Sequence, residues 1–105
     1  MRFCPWYPLA QAADLVPAGE NVIQLRVAQG LCDYPRGKTA MVHYAHAADA
    51  RAAAVAFAAA HAARDLWCRH LIELDGERDL AAFHARLLAD FVRRFGEAPR
   101  APLPR

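Results

Sequence analysis

A small mixed α/β domain is the fold class this sequence predicts, with a three-stranded, mainly antiparallel sheet and helices packed on it. Three observations lead there. Asn21–Gln29 and Leu66–Leu74 carry alternating apolar positions suited to strands. An alanine-rich run after Asp49 has the composition of a helix. In the stretch Asp79–Phe95, Leu80, Phe83, Leu87, Leu88, Phe91, Val92 and Phe95 recur at helical spacing.

The elements follow in order. Residues 1–18 read as an arm rather than a free tail, because Phe3, Trp6 and Tyr7 are too apolar to leave in water; Leu9–Leu15 has the pattern of a short helix. In the first strand Ile23, Leu25 and Val27 alternate with Val22, Gln24 and Arg26. Gly30–Lys38 has the Asp, Pro and Gly chemistry of a loop or long hairpin turn. Thr39–His46 forms the second strand, with Met41, His43 and Ala45 on one side and Val42, Tyr44 and His46 on the other. Asp49 caps a helix running to about Arg64. The third strand puts Leu66, Cys68, His70, Ile72 and Leu74 on one face, and Trp67, Arg69, Leu71 and Glu73 on a more polar one. Asp75-Gly76 makes a turn, Asp79 caps the last helix and Gly96 ends it. The order is β-β-α-β-α, with both helices expected on one face of the sheet. Residues 1–105 form a single domain: the arm, a core over 19–97 and a proline-rich tail over 98–105.

Composition bounds the function classes. The net charge of +2 is far from that of a dedicated nucleic-acid binder, so charge alone argues for no particular partner. Cys4, Cys32 and Cys68 are odd in number and widely spaced, which argues against a disulfide framework or zinc knuckle and for reduced thiols. With no long apolar run for a membrane span and no convincing signal peptide, a cytoplasmic location is expected.

Few residues offer chemistry. The chain has no serine, so no serine nucleophile is available. Gly37-Lys38-Thr39 lacks the preceding glycine of a phosphate loop. His43 and His46 sit three apart on one strand and point to opposite faces, while His61 and His84 lack a partner one turn away, so no metal site is expected. Cys32, near Arg36 and Lys38, is the best-placed thiol for reactivity. Arg26, Arg36, Lys38 and Arg69 are the candidate binding residues, as a basic face around the sheet edge.

The element order, NVIQLRV as first strand and MVHYAHAADAR leading into a helix together resemble the GIY-YIG nuclease domain over about residues 19–100. In that family a tyrosine stands in each of two strand triplets, an arginine on the next helix, and a metal-binding glutamate on a later one. Here Asn21-Val22-Ile23 occupies the first triplet, with Ile23 in place of tyrosine. His43-Tyr44-Ala45 or Tyr44-Ala45-His46 occupies the second, and Arg51 lies near the arginine position. Phe83 and His84 fall where the glutamate is expected, and Glu73 and Glu77 lie earlier. The resemblance therefore implies a GIY-YIG-like scaffold without its full catalytic set, acting as a binding module for a protein or nucleic-acid partner and needing no cofactor. Its catalytic alternative is a divergent endonuclease using His43, Tyr44 and Arg51 with Mg²⁺ or Mn²⁺. A third reading is a ferredoxin-like interaction or dimerisation domain, whose fourth strand would come from residues 1–10.

Overall fold

The computed structural model describes residues 1–74 and 79–100; the turn expected at Asp75-Gly76 lies outside them, as does most of the tail. The chain is a mixed α/β fold whose strand pairings are all antiparallel.

β3 (Asn21–Val27) is the centre of the main sheet. On one side it pairs with β6 (Met41–Ala47), on the other with β7 (Leu66–Glu73). More strands are present than the three expected. The arm supplies β1 (Arg2–Phe3) and β2 (Tyr7–Pro8), both paired with β7, so the order across the sheet is arm, β7, β3, β6. Pro5 and Pro8 interrupt the arm and keep each piece to two residues, since proline cannot donate to a ladder. The segment read as a loop or hairpin turn forms a separate ribbon, β4 (Cys32–Tyr34) with β5 (Gly37–Thr39).

A 3₁₀ turn (Leu9–Gln11) and α1 (Ala12–Leu15) link the arm to β3. α2 (Ala50–Ala60) starts where the Asp49 carboxylate accepts the Ala52 amide at 3.1 Å and is shorter than the sequence suggests. α3 (Leu80–Phe95) starts in the same way on Asp79, with Ala82 donating at 3.0 Å, and stops at Gly96 in the left-handed conformation.

The two long helices lie on opposite faces of the sheet, not on one. Ile23 and Leu25 of β3 pack with Val42, Leu66, Cys68 and with Ala50 and Ala54 of α2. Val22, on the other side of the pleat, packs with Leu71 and with Phe83 of α3. The reason is that β3 is apolar on both faces: Val22, Ile23 and Leu25 are all at most 2% exposed. Leu71, assigned by sequence to a more polar face, is likewise buried, under α3. A β-bulge between Leu25 and Arg26 opposite Met41–His43 turns Val42 into the α2-side core.

The arm straddles the edge of β7. Cys4 and Tyr7 join the core on the α2 side, whereas Phe3 lies 6.3 Å from the Phe83 ring on the α3 side. Against that same face Trp6 covers Arg26 and Arg69. At the opposite edge, the Tyr34 hydroxyl donates to the Met41 carbonyl at 2.9 Å and His84 Nε2 donates to the Tyr44 carbonyl at 3.1 Å. No helix among the described residues is long and apolar enough to cross a membrane.

Candidate functional site

α3 crosses the β6 side of its sheet face and leaves the β3–β7 part toward Val27 and Leu66 to the arm. There the register sets Gln24 opposite Arg69 and Arg26 opposite Trp67. Arg26 and Arg69 are thus diagonal neighbours on one face, a separation that long side chains bridge.

Gln24 anchors this region. It is the single buried polar residue among those described, at 3% exposure, and its Oε1 accepts a 2.7 Å hydrogen bond from Arg69 Nε. The Arg69 guanidinium carbon then lies 4.5 Å from the centre of the Trp6 ring and 4.6 Å from that of Phe3. Arg26 approaches Trp6 at 5.3 Å and directs its Nε to the Val27 carbonyl at 3.3 Å. Both guanidinium planes are therefore held by aromatic contacts and by Nε, while their terminal NH₂ groups bond no protein acceptor among the described residues. Nor does any carboxylate there pair with either group: the acids take Arg2, Lys38, His46, Arg93 and Arg100.

Two like charges beside one indole with no acid between them is an unfavourable arrangement for the protein alone. Burial holds the Arg69 pKa below its usual range, and Arg26 pushes in the same direction. Arginine stays protonated regardless, so the site presents two oriented forks of N–H donors suited to phosphate or carboxylate oxygens. Trp67, partly exposed on the same face, adds an aromatic surface.

Of the four binding residues named from sequence, the structure brings Arg26 and Arg69 together and carries the other two elsewhere. Arg36 lies on the β4–β5 ribbon, donating to the Arg93 carbonyl at 3.2 Å, with its amide on the Phe95 carbonyl at 3.0 Å. It serves the C-terminal end of α3, where a cation is favoured. Lys38 faces Asp33 at 3.6 Å, with both side chains exposed.

His43, Tyr44 and Arg51 do not converge. His43 lies on the α2 face, stacked on Phe57 at 4.5 Å, with its pKa lowered by burial and then by His61 and His84. Tyr44 points the opposite way, edge-on to Phe91 at 5.6 Å, its pKa raised by burial. Arg51 stands in the first turn of α2, exposed, and donates from Nε to the Val16 carbonyl at 2.8 Å. Among the described residues no group of three or more His, Cys, Asp and Glu could hold a metal ion. His46 and Glu20 do meet, at 2.6 Å, and the His46 ring lies 6.2 Å from that of His84.

Sequence reasoning did not find the parts that make the site: Gln24 as anchor, and Phe3 and Trp6 as the stacking surfaces. A polar residue amid apolar neighbours on the central strand was the available signal for Gln24. No protein-family model matches the chain, and no curated protein or solved structure matches it.

Proposed function

We propose that this chain is a non-catalytic binding module whose partner is single-stranded nucleic acid, held at Arg26 and Arg69 with Trp6 and Trp67 beside them. The observation that carries the reading is the pair of acid-free guanidiniums, each held by an indole and by its Nε, with no acceptor for the terminal donors among the described residues. Phosphate oxygens neutralise both charges, and partly exposed aromatic and guanidinium surfaces stack on unpaired bases. The GIY-YIG resemblance of NVIQLRV and MVHYAHAADAR enters as the scaffold's reading, with the triplet and glutamate positions altered. His43 and Tyr44 lie on opposite faces of the sheet, which supports binding over cleavage.

The test is fluorescence anisotropy with labelled single-stranded DNA and RNA over a salt series, with Mg²⁺ and Mn²⁺ present and the oligonucleotides run on a gel afterwards. Binding that weakens with salt and leaves the strand intact is expected. Each phosphate contact contributes about 0.7 to the log–log salt slope for a single strand, so Arg26→Ala and Arg69→Ala should each lower it by roughly that amount. A slope unchanged in the double variant removes the proposal. Metal-dependent cleavage would replace it with the nuclease reading.

A further inference from the structure

On the α2 side of the arm, Cys4, Tyr7, Cys68 and His70 form a cluster that anion binding does not use. Cys4 Sγ lies 3.4 Å from His70 Nδ1 and also receives the His70 backbone N–H at 3.3 Å. A nucleophile within reach of an imidazole, with a second donor aimed at the sulfur, is the arrangement that activates a thiol. The Tyr7 hydroxyl lies 2.9 Å from the same Nδ1 and competes with Cys4 for it, while Cys68 Sγ donates to Tyr7 at 3.8 Å. Burial holds the His70 pKa below the ordinary histidine value, so its ring is a neutral acceptor at pH 7.

The other groups around the sulfur suit this role. Arg69, next in the chain to His70, is close enough for its charge to couple to Cys4. Cys4 belongs to the core cluster with Leu9, Ala12, Val16, Ala50 and Ala54, and the titratable groups coupled to it besides Arg69 are Tyr7 and Cys68. Cys4 retains 9% exposure beside the partly exposed His70, so a reagent that reaches the sulfur must be small.

We infer that Cys4 is a reactive thiol with His70 as its base, and that its reagents are small hydroperoxides. The Sγ proton passes to His70 Nδ1, and the thiolate attacks one peroxide oxygen. The O–O bond breaks as the S–O bond forms, and the departing oxygen takes the proton from the imidazolium. Cysteine is oxidised by two electrons to sulfenic acid, while the hydroperoxide is reduced to water or an alcohol.

The protein supplies its own controls. Cys32 is more exposed and makes no hydrogen bond to a histidine among the described residues, whereas Cys68 is fully buried with its pKa pushed up to about 11. The experiment treats the full chain with hydrogen peroxide at pH 7, traps sulfenic acid with dimedone and assigns the label by peptide mass spectrometry. Cys4 should be labelled first, at least about tenfold faster than Cys32 despite its lower exposure. His70→Asn, with folding checked by its melting transition, should remove that advantage and shift the pH dependence of the Cys4 rate upward. Tyr7→Phe should raise the rate, because Nδ1 loses its competing donor. Cys32 labelled ahead of Cys4, an unaltered rate in folded His70→Asn, or no gain in Tyr7→Phe would each overturn the inference.

Discussion

Replacing Gln24 with methionine separates positioning from contact at the anion site. Methionine is close to glutamine in length and unforked at its end, so most of the buried space stays filled while the acceptor for Arg69 Nε disappears. A hydrogen bond to a charged group contributes about 1.5–3 kcal/mol, and the added apolar burial of the thioether offsets part of that. The net loss should be about 1–2 kcal/mol, roughly 5–10 °C in melting midpoint for a domain of this size. Arg69 also regains side-chain freedom, of which an arginine has about 2 kcal/mol, so affinity for single-stranded oligonucleotide should fall about tenfold. Both cations remain, so the salt slope should stay at the wild-type value, unlike that of Arg69→Ala. Differential scanning calorimetry and anisotropy titrations at three salt concentrations read all of this. Wild-type midpoint and affinity in Gln24→Met would refute the anchoring argument; a slope reduced as in Arg69→Ala would show that the variant loses a contact, not an orientation.

Other perturbations test the scaffold. At Gly96, with φ of 90°, an added Cβ would stand 2.9 Å from Pro35 Cβ; at Gly30, with φ of 78°, it would meet nothing within 4 Å. Chemical denaturation should therefore show a loss of about 2 kcal/mol or more for Gly96→Ala against about 1 for Gly30→Ala, and equal losses would discount the Pro35 contact. Asp49→Ala and Asp79→Ala each remove a helix cap and should cost about 1 kcal/mol; an unchanged denaturation midpoint in both would contradict the capping geometry. Burial lowers the pKa of both His43 and His70 in the folded state. The unfolded chain then binds more protons near the ordinary histidine value of about 6.5, so stability is full above that pH and is lost as pH falls through the folded values. Melting curves from pH 8 to 5 should show this decline, flattened in a His43→Gln/His70→Gln variant; an equal decline there would assign it to other groups.

How much of this was legible in the chain depends on the range of the interactions. β3 and α3 could be read because each is declared by neighbours: the Ile23, Leu25, Val27 alternation, and the apolar spacing between Asp79 and Gly96. The side taken by each helix was not legible, because adjacent buried residues such as Val22 and Ile23 fit a strand covered once or twice equally well. The ferredoxin-like reading anticipated a strand from residues 1–10, but which strand the arm pairs with was not legible, because its two-residue strands are too short to show a period. Arg26 and Arg69 were named among the basic residues, but only the β3–β7 register, setting Gln24 opposite Arg69, makes them one site. The Cys4–His70 contact spans 66 positions of sequence and leaves no local pattern.

The outer border of β6 has a consequence for how molecules of this protein meet one another. A seven-residue edge strand ordinarily offers its backbone as a template for the next chain, the route by which sheets grow into fibres. Here carbonyls of Met41 and Tyr44 are taken by Tyr34 and His84, side chains from the ribbon and from α3. A neighbour seeking to pair there must first displace a phenol and an imidazole that belong to other layers of the fold. Protection from self-templating is thus tied to the docking of both the ribbon and α3, and weakens when either lifts away.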